Sequence, residues 1–255
     1  MSDQRLCFVS GGSSGIGLAC VLEFCRQGWV VAASYYGDED PFAARAMVER
    51  EIGANACRVV PVPLNVADDA SCRAAVKLVL DTWGRIDALV NCAGTTRFVP
   101  HENLEALDAD EFRRIYDVNV IGTFQLTRAC AAALAVTGEG SVVNMSSIAG
   151  LRGSGSSLAY AASKGAVNTI TLSLARSLAP AVRVNAIAPG FVDGGLPARV
   201  LPRERYESVL HTQRAAAPLQ RVAQPTEIAE LAWFLCARAI AMTGQIVAVD
   251  NGLQL

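Results

Sequence analysis

Short apolar runs alternate with longer amphipathic segments along nearly the whole chain. RLCFVS reads as a buried strand, followed by a glycine-rich turn and a helix from about Ile16 to Gln27. Gly28 ends that helix, and WVVAAS forms a second strand. A helix after Pro41 runs through FAARAMVEREI to Gly53. CRVVPVPLNV, starting at Cys57, supplies a third strand, DDASCRAAVKLVLDTW a helix, and IDALVN a fourth strand. One long helix is predicted over DADEFRRIYDVNVIGTFQLTRACAAALA, with Asp108 as its N-cap and Glu111 as the reciprocal capping partner. SVVNMSS is the next strand, SLAYAASKGAVNTITLSLARSLA a long helix, and VRVNAIAP another strand. The alternation lapses from Gly190 to about Pro218, and a helix over TEIAELAWFLCAR and the strand GQIVAVD complete the pattern. Repeated strand-helix-strand units predict an α/β fold, a doubly wound Rossmann-type domain with a parallel sheet and right-handed crossovers. No linker, charge run or internal repeat divides the 255 residues, so one domain over residues 1–255 is expected.

Composition narrows the possible functions. A chain that is 52% hydrophobic and only 18% charged suits strands covered on both faces, and hints that subunit contacts bury part of the surface. A formal net charge of −2 makes no electrostatic case for nucleic acid or anionic membrane as a partner. MSDQRLCFVSGG leads straight into a strand and a glycine loop and is not read as a signal peptide. No apolar window is long enough for a membrane span. Eight cysteines without a CxxC pair, and only two histidines, lack metal-ligand spacing; no metal is expected, and a reducing cytoplasm is the expected setting.

The chemistry lies at the predicted strand ends. Gly11, Gly15 and Gly17 sit between a strand and a helix, where glycines permit a tight turn, backbone approach to a pyrophosphate and close helix-strand packing. Ser13, Ser14 and Ile16 complete that loop, and the helix N-terminus offers free N–H groups to phosphate. Tyr35 ends the second strand, where the adenosine ribose is expected. No acid stands there to exclude a 2′-phosphate, no nearby Arg or Lys holds one, and Ser14 fills a position where a basic residue would help. Asp38, Glu39 and Asp40 read as caps for the next helix. The cofactor expected is NADP or NAD, with the lean towards NADP. NCAG, Asn91 to Gly94, closes the fourth strand with small residues that let a dinucleotide pass, while Asn91 ties neighbouring strands. Asn119, flanked by valines, is expected to be buried, capping a helical irregularity or holding a water. Ser146 and Ser147 end the fifth strand at the ligand-binding edge. Tyr160 and Lys164 lie one helical turn apart, with phenol and ammonium on one face. The cation is expected to lower the tyrosine pKa from its ordinary ~10.

Taken in order from about Arg5 to Gly252, SGGSSGIG, NCAG, DVNVIG, NMSS, YAASK and IAPG resemble the short-chain dehydrogenase/reductase family, particularly its 3-oxoacyl-reductase-like and sugar-dehydrogenase-like members. The resemblance implies a seven-stranded Rossmann sheet, assembly as a homotetramer or homodimer through the two long helices, and hydride transfer between a nicotinamide and a small-molecule carbonyl or secondary alcohol. It implies that Tyr160 is the acid/base, that Lys164 lowers its pKa and holds ribose hydroxyls, that Ser147 orients the substrate oxygen, and that Asn119 anchors a relay water. It also assigns Gly11, Gly15, Gly17, Asn65, Val66, Asn91, Ala93, Gly94, Pro189, Gly190 and Val192 to the cofactor site. Three positions depart from the family pattern: Ser10 and Gly194 each replace a threonine, and Asn65 replaces an aspartate. Residues 191–217 read as a substrate lid, with Leu196, Val200, Leu201, Tyr206 and Leu210 as its apolar cover and Arg97, Phe98, Leu151 and Arg152 as the opposite wall. Two rival functions stand. One is a 3-oxoacyl thioester reductase, which would need a basic docking patch where only Arg199, Arg203 and Arg205 cluster loosely. The other is a non-catalytic dinucleotide-sensing protein.

Overall fold

A computed structural model describes residues 4–53 and 58–255. The expected start of the third strand at Cys57, and residues 1–3 of the expected domain, lie outside them. Strands β1 (Leu6–Ser10), β2 (Val30–Tyr35), β3 (Val59–Pro63), β4 (Ala88–Asn91), β5 (Gly140–Met145), β6 (Val182–Pro189) and β7 (Ile246–Val249) form one seven-stranded sheet. All neighbours are parallel, in the order β3-β2-β1-β4-β5-β6-β7. Helices α1 (Gly15–Arg26), α2 (Ala43–Glu51), α3 (Asp69–Trp83), α4 (Ala109–Tyr116), α5 (Thr123–Val136), α6 (Ala149–Arg152), α7 (Leu158–Leu178), α8 (Leu196–Val200), α9 (Arg203–Ala216) and α10 (Pro225–Ala237) make up the connections.

Period-two alternation within the strands builds two cores. Cys7, Val9, Val31 and Ala33 face α1, α2 and α10, whereas Leu6, Phe8, Val30 and Ala32 face α3, α5 and α7. Both faces are covered, which is why the strands read as unbroken apolar runs. Fully buried side chains such as Phe8, Phe24 and Leu89 each contribute about 1.5–3 kcal/mol. Pro61 and Pro63 are tolerated because β3 is an edge strand, where a missing N–H need not break a ladder.

Strand order reverses between β1 and β4, which opens a crevice at their carboxyl ends. The turn entering α1 is possible only for glycine. Gly11 has φ +66, and a Cβ on Gly17 would lie 2.0 Å from the Gly11 carbonyl oxygen.

The long helix predicted after Asp108 departs from regular geometry in the middle. α4 passes into a π-helical turn over Asp117–Gly122 before α5 begins. Gly122 is pressed against Val66, where a Cβ would lie 2.7 Å from the valine Cγ2. Asp108 does cap α4, accepting from the Glu111 N–H at 2.8 Å. Glu111 does not reciprocate as expected: its carboxylate is drawn to the guanidinium groups of Arg114 and, at 3.8 Å, Arg97.

Cys7, Cys20, Cys72, Cys92, Cys130 and Cys236 are free thiols, and all but Cys92 are buried. Cys25 is disulfide-bonded, which departs from the expectation of reduced cysteines. Among the described residues no helix is long and apolar enough to cross a membrane.

Gly17→Ala is expected to destabilise the fold by at least about 2 kcal/mol, because the clash is with backbone that cannot swing aside. Urea unfolding of the variant against the natural sequence measures this.

Candidate active site

A cleft of about 570 Å3 opens over the carboxyl ends of the central strands. Its floor is held by short polar contacts. The Ser10 hydroxyl accepts from the N–H groups of Cys92 and Ala93, both at 3.1 Å, so serine supplies the oxygen where threonine was expected. Ser34 Oγ accepts from the Gly11 N–H at 2.9 Å and fixes the glycine turn against β2.

The site fits a dinucleotide phosphate. Ser14 precedes α1 in extended conformation, and its side chain makes no capping bond to the helix. The first-turn N–H groups therefore face the cleft with the positive end of the helix dipole. Gly15 has φ +54, and the nearest atom to a Cβ built there is Gly195 Cα across the cleft, at 3.7 Å.

Most sequence-predicted positions meet in this cleft: Gly11, Ser13, Ser14, Gly15, Ile16, Gly17, Tyr35, Asn65, Val66, Ala93, Gly94, Ser147, Tyr160, Lys164, Pro189, Gly190 and Val192 all line it. Asn91 and Asn119 do not. Asn91 lies beneath the floor and donates to Asn144 Oδ1 at 2.8 Å and Thr127 Oγ1 at 3.0 Å, tying β4 to β5 and α5. Asn119 sits in the π turn and pairs with both backbone groups of Thr95, accepting from its N–H at 2.8 Å and donating to its carbonyl at 3.0 Å. Its amide also donates to Ser163 Oγ at 3.0 Å. The asparagine thus braces the loop after β4 against α7, and the irregularity expected around it is real.

Ser147, Tyr160 and Lys164 converge at one end of the cleft. Ser157 caps α7 by accepting from the Tyr160 N–H at 3.3 Å, which places the tyrosine in the first helical turn. The Ser147 hydroxyl contacts the phenol. Lys164 Nζ donates to the Met145 carbonyl at 2.7 Å and lies 5.6 Å from the centre of the Tyr160 ring. Burial pushes the phenol up to about 12, opposed by the Ser147 hydrogen bond, and pushes the lysine down to about 8. The expected lowering of the tyrosine pKa by its lysine is thus not met in this geometry. Lys164 is buried and Tyr160 partly buried, and desolvation favours each neutral form over the ion pair.

Several expectations about the walls also change. Arg97, Phe98, Leu151 and Arg152 do not line the cleft; Arg97 faces Glu111, and Arg152 donates to the Leu253 carbonyl. Of the expected apolar cover only Leu196 lines the cleft, and Val200 is 41% exposed. Tyr206 instead anchors α9: its hydroxyl donates to the Asp193 carboxylate and accepts from the Gly194 N–H at 2.8 Å. Asp193 is engaged there and by Gln224 Nε2 at 3.4 Å. In the acidic loop Asp40 alone serves the next helix, accepting from the Phe42 N–H at 2.8 Å. Glu39 turns into the cleft, joined there by Arg114 and Arg199, none of which the sequence marked as a ligand residue.

Comparison with known proteins agrees with this architecture. A family model described as Enoyl-(Acyl carrier protein) reductase matches residues 11–254. The "Granaticin polyketide synthase putative ketoacyl reductase 2" of Streptomyces violaceoruber is 38% identical, over 99% of this chain and 97% of its own. The 3alpha-hydroxysteroid dehydrogenase of Mediterraneibacter gnavus is 34% identical, over 98% and 97%. A crystal structure of a "putative short-chain dehydrogenase/reductase from Burkholderia xenovorans" superposes with a TM-score of 0.91 at 49% identity, covering 100% of this chain and 99% of that one. The chain belongs to the short-chain dehydrogenase/reductase family, oxidoreductases that use a nicotinamide dinucleotide to interconvert carbonyl and CH–OH groups.

The buried lysine has a consequence for stability. Unfolded, Lys164 titrates near 10.5; folded, near 8. Between those values the unfolded chain holds the extra proton, so stability rises with pH. The difference in unfolding free energy between the natural sequence and Lys164→Met should therefore increase from pH 8 to pH 10, as read by urea unfolding at constant ionic strength. A difference that stays flat across that range contradicts the assignment.

Proposed function

We propose that this protein transfers hydride between a nicotinamide dinucleotide, with NADP preferred, and a small carbonyl or secondary alcohol, with Tyr160 as the acid/base. The observation that carries the reading is the convergence of Ser147, Tyr160 and Lys164 at one end of the cleft whose other end is the glycine turn before α1. The bound dinucleotide supplies or accepts the hydride. The chain's own residues handle the oxygen and its proton. In the reducing direction the Tyr160 O–H gives its proton to the substrate oxygen as the carbonyl carbon gains the hydride, and Ser147 holds that oxygen by a hydrogen bond. The phenolate left behind is unfavourable in a desolvated site, and the Lys164 ammonium, 5.6 Å from the ring centre, is the charge that offsets it. Lys164 is aimed by the Met145 carbonyl, and Asn119 acts as a positioning residue through Thr95 and Ser163. In the oxidising direction the same groups run in reverse.

Residues 191–217, carrying α8 and α9, are proposed as the substrate lid, since they follow β6 directly beside Pro189 and Gly190. Self-association as a homotetramer or homodimer is supported by apolar side chains left partly open near the long helices, Ile121 and Phe124 on one and Leu158 and Leu172 on the other. A second reading of the substrate, a 3-oxoacyl thioester, is favoured by the relative described as a ketoacyl reductase. The hydroxysteroid dehydrogenase, at nearly the same identity, argues against fixing the substrate from likeness alone.

Tyr160→Phe is expected to lower turnover by at least about a hundredfold, the scale of lost general acid catalysis, while leaving the thermal unfolding curve and dinucleotide binding close to those of the natural sequence. Steady-state kinetics on a panel of ketones and 3-oxoacyl thioesters, with nicotinamide fluorescence for binding, tests this. Near-normal turnover in the variant overturns the role of Tyr160.

A further inference from the structure

The adenosine end of the cleft contains a charge arrangement that local sequence does not announce. Glu39 Oε2 accepts from the Ser13 hydroxyl at 2.8 Å and from the Tyr36 N–H at 3.0 Å. Its other oxygen, Oε1, lies 3.5 Å from Arg199 Nη2. Arg199 Nη1 in turn donates to Ser14 Oγ at 3.0 Å. A hydroxyl, a backbone N–H and a guanidinium therefore close on a single anion, at the point where β2 ends beside the glycine turn. That is the place of the adenosine ribose in a sheet of this topology.

The remaining cations of the cleft are committed elsewhere. Among the described residues, the Lys and Arg side chains lining it are Arg114, Lys164 and Arg199. Lys164 is held by the Met145 carbonyl next to Tyr160, and Arg114 by Glu111 and by Thr95 Oγ1 at 2.9 Å. Arg199 is left as the cation at the ribose end, carried on α8 of the proposed lid rather than on β2 or the glycine turn.

We propose that Arg199 and Glu39 form an opposed pair that sets cofactor choice, Arg199 gripping the 2′-phosphate of NADP(H) and Glu39 occupying that phosphate's place when it is absent. The inference rests on the dinucleotide reading above and goes beyond it by naming the determinant. A 2′-phosphate offers the same donors a greater negative charge and more acceptor oxygens than the carboxylate, so it can replace Glu39 at Ser13, Tyr36 N–H and Arg199. A free 2′-hydroxyl carries no charge to compete, and leaves the Arg199–Glu39 bridge in place as its neighbour. Because the pair is partly exposed, the bridge itself is a weak lock that a phosphate can open. The arrangement also links cofactor to lid: a phosphate held by Arg199 would add to the Ser14 contact by which α8 already meets the glycine turn.

The test is a titration of the natural sequence, Arg199→Ala, Arg199→Lys and Glu39→Gln with NADPH and, separately, with NADH, following nicotinamide fluorescence. Arg199→Ala should weaken NADPH binding at least roughly tenfold, the scale of a lost charge-assisted hydrogen bond, and change NADH binding by less than about threefold, the scale of an exposed pair. Arg199→Lys should retain part of the NADPH affinity, and Glu39→Gln should raise it relative to NADH. Equal losses for both cofactors would place Arg199 on the pyrophosphate they share and overturn the proposal, as would unchanged binding of both. Failure of the natural sequence to bind either dinucleotide would instead bring down the underlying functional reading. Both positions are on the surface, and matching thermal unfolding of the variants separates a binding effect from a folding one.

Discussion

The structure depends on one close approach of backbone to backbone. With a Cβ on Gly17 placed only 2.0 Å from the Gly11 carbonyl oxygen, α1 can sit against the turn that follows β1 only because residue 17 has no side chain. That contact points the amino end of α1 into the crevice where the sheet reverses order between β1 and β4. A phosphate-binding geometry follows without any charged side chain, from uncapped N–H groups and the helix dipole. Ser10 and Ser34 then hold the turn from either side, one through the backbone of the NCAG segment and one through Gly11 itself.

A second layer of order runs under the cleft as a buried polar seam. Asn91 joins Asn144 and Thr127, and Asn144 donates to Thr171 Oγ1 at 3.0 Å, so two strands and two helices are locked in register by side-chain amides and hydroxyls. Buried polar groups are costly unless satisfied, and here they satisfy one another. Asn119 extends the same principle to the loop after β4, where its amide substitutes for a strand partner of Thr95. These residues touch no reacting atom. Their work is to make the floor beneath Ser147, Tyr160 and Lys164 rigid.

Tyr160 and Lys164, the proposed acid/base and its cation, lie where desolvation dominates. Tyr160 and Lys164 each tend towards the neutral form in this geometry, the phenol at about 12 and the amine at about 8. Proximity on a helix was legible in the residue spacing, but spacing says nothing about how much water reaches the pair. How strongly a lysine can act on a neighbouring tyrosine depends on how far each is desolvated, and burial belongs to the packed structure.

The sequence by itself determined the doubly wound fold, the chain order of its strands and of the helices between them outside α6, α8 and α9, and the residues that form the glycine turn and the Ser147-Tyr160-Lys164 end. Those features are local: apolar periodicity, turn residues and one-turn helical spacing act over a few positions and survive without knowledge of partners. It pointed to a helical irregularity at Asn119 but not to its π-helical form, and it did not reveal the turning of Glu39 from helix cap to cleft wall or the engagement of Tyr206 with Asp193. Least of all did it place Arg199 on Ser14, a contact between residues 185 positions apart. Only the tertiary structure decided these, because each depends on which surfaces meet after the chain has folded, and a charge finds its partner by distance in space.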